Sequence, residues 1–308
     1  MVHLMNSIIQ VEHLSKSYNG LPAVADVSFE VGQGEIFGMV GPNGAGKTTT
    51  IEMIEGLRVA DSGQVRVFGL DPQRDQRTLA MRVGVQLQQA ALPPRLRVRE
   101  ALELFASFYS QSADPGELLE RLGLTEKADS PVSKLSGGQR QRLFIALALL
   151  HKPELIFFDE LTTGLDPQAR RSMWDLVRQV REQGVTVFLT THFMEEAERL
   201  CDRVLILDQG RLVALDTPAA LVNSLGVEKR LVFTTADGQD LPDLTNLPVV
   251  SRVERSGERV IVYGQGGRFA SQVVAALEDA NVELLDLRTE QANLEDVFLR
   301  LTGRELRD

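Results

Sequence analysis

Residues 35–49 read Glu-Ile-Phe-Gly-Met-Val-Gly-Pro-Asn-Gly-Ala-Gly-Lys-Thr-Thr, and this stretch decides the fold. It begins as a short apolar strand, and the apolar spacing that follows Thr49 predicts a helix. Between the two stands the pattern Gly-x4-Gly-Lys-Thr, in the strand–loop–helix context that a phosphate-binding loop requires. The stretch therefore predicts a nucleotide site on an α/β sheet.

The loop carries the groups that a bound triphosphate needs. Gly41, Gly44 and Gly46 are expected to adopt positive φ and to let the backbone approach an anion. The following N–H groups and the helix dipole then face the phosphates. Lys47 supplies a cation, and the Thr48 hydroxyl can ligate Mg²⁺. The predicted loop contacts are Gly41, Pro42, Asn43, Gly44, Ala45, Gly46, Lys47, Thr48 and Thr49.

Length and composition restrict the class of protein. The chain has 308 residues, enough for two domains. A net charge of −10 argues against a nucleic-acid partner, because such binding depends on Lys and Arg. A single cysteine excludes an intramolecular disulfide and fits a reducing compartment, and four scattered histidines do not predict a zinc site. We expect no signal peptide and no membrane-spanning segment.

Two further strands are expected to end beside the phosphate loop. The apolar run at residues 154–158 leads into Asp159 and Glu160, and the run at residues 185–191 leads into His192. Uninterrupted apolar runs are typical of central parallel strands, and ligands bind at the carboxyl ends of such strands. Both carboxylates and the imidazole should therefore lie next to the bound phosphates.

A helical insertion, at about residues 90–150, interrupts the alternation of strands and helices. It ends in Leu135, Ser136, Gly137, Gly138 and Gln139, which head an apolar helix. The serine fits a helix N-cap, and the two glycines leave the first-turn N–H groups accessible, so this helix end can bind a second anion.

The two ends of the chain carry fewer residues that point to a function. A hairpin is expected from residues 8–14 and 24–31, with Tyr18 near its turn, either as an ordinary edge tyrosine or as a ring that stacks on adenine. Residues 228–308 predict a small α+β domain with strands at 231–234, 249–254, 259–263 and 282–287 and helices at 269–280 and 294–301, in which we find no catalytic constellation.

Together these motifs resemble the ATPase subunit of ABC transporters. The phosphate loop, Leu-Ser-Gly-Gly-Gln at 135–139, Phe-Asp-Glu at 158–160, Gly-Leu-Asp at 164–166 and His192 carry the resemblance. It implies a P-loop NTPase core with an antiparallel β subdomain and a helical insertion over residues 1–227, followed by the domain at 228–308. The tail at 293–307 resembles drug-exporter ATPases of the daunorubicin-resistance type.

The resemblance also implies a mechanism that uses ATP and Mg²⁺. Two subunits, homodimer or pseudo-dimer, would pack head to tail, each ATP lying between one phosphate loop and Ser136–Gly138 of the other copy. Tyr18 would stack on adenine, and Asp166 would link the two sites. Glu160 would activate the attacking water and His192 would touch the γ-phosphate. Mg²⁺ would take Thr48 and Gln88, with Asp159 holding it directly or through water. Gln86 and Gln89 are the alternatives to Gln88, which we choose because it ends the strand and stands four residues before Leu92, as in relatives.

The implied partner is a separate integral-membrane permease, with the chain held at the cytoplasmic face of the membrane and not inserted in it. The tail favours an exporter of drug-like, antibiotic or lipid-like molecules, and the substrate itself depends on the permease. An importer ATPase and a soluble ABC ATPase acting on ribosomes or nucleic acid are the alternatives. An ATP-holding module without turnover is disfavoured because Glu160 and His192 are both present.

Two positions depart from the family pattern. Leu161 stands where the family has proline after the catalytic Glu, which puts the stiffness of that turn in question. Leu147 stands where importer-type relatives have Arg, so an ion pair is not expected there.

Overall fold

A computed structural model describes residues 7–86, 92–224, 229–235, 241–290 and 292–303. The chain divides into two compact units, the first ending at Pro218 and the second beginning at Ala219. The division precedes the predicted boundary between residues 227 and 228, which itself lies outside the described residues.

The central sheet of the first unit is built from the apolar runs of the sequence. Its order is β5-β6-β7-β3-β8-β9, and all neighbours are parallel except the final hairpin of β8 and β9. The central strands are buried along their whole length, as continuous apolar runs predict. The strands are β3 (Ile36–Val40), β5 (Val83–Gln86), β6 (Leu155–Asp159), β7 (Thr186–Thr191), β8 (Arg203–Asp208) and β9 (Arg211–Asp216).

A separate antiparallel sheet has the order β2-β1-β4, from β1 (Ser7–Tyr18), β2 (Leu21–Gly32) and β4 (Ser62–Val67). The hairpin turn is tighter than predicted, because Asn19 and Gly20 both have positive φ, at 51° and 80°, and close it in two residues. Strand β4 stops at Val67, because Phe68 and Gly69 also adopt positive φ and reverse the chain.

Helices flank the central sheet and form the predicted insertion. Helix α2 was not predicted. Helix α3 ends at Ala106, where i to i+3 hydrogen bonds tighten the last turn. The helices are α1 (Lys47–Ile54), α2 (Gln76–Leu79), α3 (Val98–Ala106), α4 (Pro115–Arg121), α5 (Gly137–Leu149), α6 (Pro167–Glu182) and α7 (Met194–Leu200). None of the helices among the described residues is long and apolar enough to span a bilayer.

The second unit is a four-stranded antiparallel sheet of order β11-β12-β10-β13 with its own apolar core. Phe269 and Val273 of α9 are fully buried in that core. A short 3₁₀ turn covers Leu244–Asn246, before β11. The elements are α8 (Pro218–Ser224), which begins at the unit boundary, β10 (Lys229–Thr235), β11 (Val250–Ser256), β12 (Arg259–Gly264), α9 (Phe269–Asp279), β13 (Leu284–Glu290) and α10 (Leu294–Thr302).

Candidate nucleotide site

The glycine loop lies between the buried strand β3 and helix α1. Gly44 and Gly46 have φ of 80° and 103°, as predicted, and Gly46 occupies the helix N-cap without a side-chain cap. The prediction of positive φ was wrong for Gly41. A Cβ on Gly41 would stand 2.2 Å from the backbone oxygen of Leu207, so close packing is what requires glycine there.

Lys47 opens α1 and is 5% exposed. Its Nζ donates to the backbone oxygens of Gly41 at 2.7 Å and of Pro42 at 3.2 Å, and it lies 3.7 Å from Oε1 of Glu160. Burial lowers the pKa of the Lys47 ammonium, and the negative charges of Glu160 and Asp159 oppose that shift. The buried lysine charge therefore lies beside two carboxylates.

Asp159 is the last residue of β6, and the neighbouring strand β7 holds its carboxylate in place. The Thr190 hydroxyl donates to Oδ1 of Asp159 and also accepts from the Glu160 N–H at 3.2 Å. Burial raises the pKa of Asp159, while the bond from Thr190 and the charge of Lys47 act in the opposite direction. Sequence reasoning missed Thr190; the prediction that β7 ends beside β6 could have drawn attention to its hydroxyl.

Glu160 turns out of the sheet with φ of 49°. Its Oε1 lies 3.5 Å from Nδ1 of His192, and its Oε2 accepts from the Thr163 hydroxyl at 3.3 Å. Thr163 was also missed, although its place three residues after Glu160 in a tight turn is a signal for such a contact. The carboxylate thus lies between one cation and one imidazole at the carboxyl ends of β6 and β7.

These residues surround a cleft of about 650 Å³. The Tyr18 ring stands at its edge, 38% exposed, with the Arg58 guanidinium 5.3 Å and the Lys16 ammonium 5.9 Å from the ring centroid. The cleft is lined by Tyr18, Ala23, Asn43, Gly44, Gly46, Lys47, Thr48, Thr49, Glu160, Thr163 and His192.

Ser136 caps α5 as predicted. Its hydroxyl accepts from the Gln139 N–H at 3.3 Å, and Oε1 of Gln139 accepts from the Ser136 N–H at 3.0 Å. Asp166 caps α6 in turn, by accepting from the N–H groups of its first turn. A Cβ on Gly138 would stand 3.6 Å from Cβ of Ala169, so the two helix starts are neighbours. Of the described residues, those at 135–139 and Asp166 are not part of the cleft lining.

The glutamine chosen for Mg²⁺ cannot be placed. Gln88 and its alternative Gln89 lie outside the described residues, and Gln86, at the end of β5, is 2% exposed and lines a different cavity. Within the described ranges no group of three or more His, Cys, Asp or Glu side chains could hold a metal ion. Of the predicted magnesium ligands that the structure describes, Thr48 lines the cleft and Asp159 lies beside it, near Lys47.

Comparisons with known proteins identify the family of the chain. A family profile described as "ABC transporter" matches residues 24–163, and one described as the C-terminal domain of the nodulation factor export protein NodI matches residues 241–303. Nod factor export ATP-binding protein I of Ralstonia nicotianae is 43% identical over 98% of this chain and 95% of its own length. Linearmycin resistance ATP-binding protein LnrL of Bacillus subtilis is 37% identical over 98% of this chain and 100% of its own length.

Solved structures match the first unit's fold. The ATP-binding subunit of an ABC transporter superimposes with a TM-score of 0.64 at 30% identity, covering 71% of this chain and 94% of that one. The cassette MJ0796, solved as a dimer in a post-hydrolysis state with ADP and phosphate, has a TM-score of 0.60 at 27% identity, covering 68% of this chain and 98% of that one. The predicted P-loop fold is confirmed.

Proposed function

Because the chain belongs to the ATPase family of ABC transporters, we propose that it powers an exporter by hydrolysing ATP and driving a separate membrane permease. The export direction is supported by two relatives that align along the whole chain and are named for Nod factor export and linearmycin resistance. The cargo would be an amphipathic drug-like, antibiotic or lipid-like molecule. The permease would hold the chain at the cytoplasmic face of the membrane.

ATP would enter the cleft with its adenine against Tyr18 and its phosphates in the glycine loop. The N–H groups of Gly44, Gly46 and Thr49 would hold the phosphates, because these residues line the cleft at the positive end of α1. Lys47 would direct its charge to the β- and γ-phosphates.

The donor set around Asp159 fits Mg²⁺. Asp159 offers a buried carboxylate that Thr190 orients, Thr48 offers a hydroxyl, and the remaining protein ligand would be Gln88. When bound, the ion would neutralise charge that develops on the phosphates.

Glu160 would take the proton of the water that attacks the γ-phosphate, and His192 would donate a hydrogen bond to that phosphate. The observation that carries this proposal is the position of Glu160, whose Oε1 lies 3.7 Å from Nζ of Lys47 and 3.5 Å from Nδ1 of His192. This position supports the proposal, because the carboxylate lies beside the lysine and the histidine assigned to the terminal phosphate.

A second copy would complete the site. Ser136–Gly138 present a capped helix end away from the cleft of their own chain, as a group that acts on a partner's ATP should. Asp166, at the neighbouring helix start, would link the two sites. ATP would then hold two copies together and hydrolysis would release them, which gives the permease a two-state motion.

The test is Glu160→Gln in the full chain. We expect turnover to fall at least a thousandfold while mant-ATP still binds, and light scattering should show a dimer with Mg-ATP. The matched control is Glu154→Gln, which removes an exposed carboxylate paired with Arg82 one strand length away and should leave all three readouts unchanged.

The same trapped variant tests whether the chain works in transport with a membrane permease. Purified from native membranes with Mg-ATP, it should bring a polytopic membrane protein with it. Ribosomes or nucleic acid in place of that protein would overturn the export proposal and leave the ATPase chemistry standing. Normal turnover by Glu160→Gln would overturn the choice of base.

A further inference from the structure

One buried carboxylate has no part in the steps above. Glu196 lies on α7 and is 2% exposed, and its Oε1 accepts a hydrogen bond from Nε1 of Trp174 at 3.0 Å. Burial raises the pKa of Glu196, which the Trp174 bond, the nearby hydroxyls of Thr191 and Thr162 and the positive charge of Arg170 partly counteract. Burying a carboxylate costs free energy, so the buried Glu196 is expected to have a specific role.

The neighbours of Glu196 come from three different segments. Thr191 ends β7 and immediately precedes His192. Thr162 belongs to the turn that joins Glu160 to Asp166, and its hydroxyl is fully buried. Trp174 and Arg170 lie on α6, the helix that Asp166 caps. Glu196 therefore joins α7, which follows His192, to α6, which Asp166 caps, and lies near the turn that follows Glu160.

Besides the hydrogen bond between Glu196 and Trp174, a second set of contacts joins α6 to the His192 turn. The Arg170 guanidinium lies 4.1 Å from the ring centroid of Phe193, and that ring lies 4.1 Å from the imidazole of His192, centroid to centroid. The start of α6 and the His192 turn are thus packed together at two points. A displacement of either one would be transmitted to the other.

We propose that Glu196 is a positioning residue that fixes the His192 turn and the Glu160–Asp166 turn relative to each other through Trp174. The inference rests on the proposed function, since it concerns the alignment of those same groups. Nucleotide binding depends on the phosphate loop and Tyr18, which Glu196 does not touch among the contacts described. Loss of Glu196 should therefore slow turnover without weakening ATP binding.

The chain supplies its own probe, because Trp174 is its single tryptophan. Full-length Glu196→Gln and Trp174→Phe are compared with Glu195→Gln, the adjacent carboxylate on α7, which is exposed and paired with Arg199 at 2.9 Å. We expect kcat to fall about 10- to 100-fold in the first two, with KM for ATP and mant-ATP affinity within about twofold of the parent. Glu195→Gln should match the parent.

Tryptophan fluorescence gives a readout besides turnover. In the parent, Mg-ATP should shift the Trp174 emission as α6 moves with the site, and Glu196→Gln should reduce that shift while leaving binding intact. A purely structural role would lower the melting temperature but leave kcat per folded molecule unchanged, and that result overturns the inference. If Glu196→Gln does not fold, Trp174→Phe provides the test. A lowered kcat with unchanged KM for ATP supports the inference, and an unchanged kcat overturns it. A parent that does not hydrolyse ATP overturns the proposed function itself, and this inference with it.

Discussion

Replacing Thr190 by valine tests how the Asp159 carboxylate is held. The substitution keeps the shape of a β-branched side chain and removes one hydroxyl, which donates to Asp159 and accepts from the Glu160 N–H. The Glu160 N–H keeps a partner, because it also donates to the backbone oxygen of Thr190 at 3.1 Å. The bond to Asp159 is therefore the main loss.

The size of that loss follows from burial. Thr190 is 1% exposed and Asp159 is 7% exposed, so water cannot readily replace the hydroxyl. A hydrogen bond to a charged group contributes about 1.5–3 kcal/mol, and a loss near 2 kcal/mol lowers the melting temperature of a unit of this size by roughly 4–8 °C.

The loss should also depend on pH. The pKa of Asp159 is already raised by burial, and the Thr190 hydroxyl acts to lower it, so the variant raises this pKa further. Loss of the hydrogen bond destabilises the protein only while Asp159 is ionised. The full loss of stability is therefore present at pH values above the folded-state pKa of Asp159. It shrinks as the pH falls and the carboxyl takes up its proton. The difference in melting temperature should therefore be larger at pH 8 than near pH 4.5.

Thr186→Val is the matched control. Thr186 lies on the same strand, is fully buried, and its hydroxyl accepts from the uncharged Gly34 N–H at 2.8 Å. Its loss should cost about 1 kcal/mol at every pH, and it should not alter the Mg²⁺ concentration needed for turnover. Thr190→Val should raise that concentration, most strongly at low pH. Equal, pH-independent effects in both variants would refute the assigned role of Thr190.

Three further changes test other parts of the chain. Gly46→Ala should weaken mant-ATP binding at least tenfold, because the added Cβ would stand 2.3 Å from the backbone oxygen of Ala23. The control is Gly20→Ala, at a position that also has positive φ but where no atom lies within 4 Å of the added Cβ. It should cost only about 1 kcal/mol of stability and leave binding unchanged. Glu55→Gln should stabilise the chain by up to about 5 kcal/mol at pH 9 and little at pH 4.5, measured by denaturant unfolding. Burial first, and then the charges of Asp159 and Glu52, raise the pKa of Glu55 from 4.5 to about 8, so the folded state loses stability progressively as the pH rises from about 4.5 to about 8. Asp296→Asn should lower the unfolding free energy of the second unit, measured by proteolysis, by about 1–3 kcal/mol, because Asp296 pairs with Arg230 at 2.7 Å and is 16% exposed. The control Arg288→Met removes a half-exposed ion pair and should cost less than about 1 kcal/mol.

The sequence predicted what short segments determine. The glycine loop, the Ser136 cap and the strands ending at Asp159 and Thr191 depend on residue types at fixed spacing, and the structure has them where expected. Helix α2 was missed because four residues are too few to show a helical period.

Contacts between distant segments could not be predicted in the same way. The bond between Thr190 and Asp159 joins residues 31 positions apart, and its existence depends on the register of two strands. The hydrogen bond between Trp174 and Glu196 depends on how two helices cross. A threonine in a strand and a glutamate in a helix are each ordinary locally, so only the tertiary arrangement gives them a role.

Leu161 shows why a departure from a family motif need not weaken a site. The family's proline would stiffen the turn by fixing φ, and its absence put the stiffness of the turn in question. In the structure the Leu161 side chain is 4% exposed, so core packing anchors the turn from inside. The Thr163 N–H donates to the Glu160 oxygen at 3.2 Å, which closes the backbone. These contacts can offset the 1–3 kcal/mol that a non-glycine residue at positive φ costs at Glu160, and the carboxylate is thereby kept facing Lys47 without a proline.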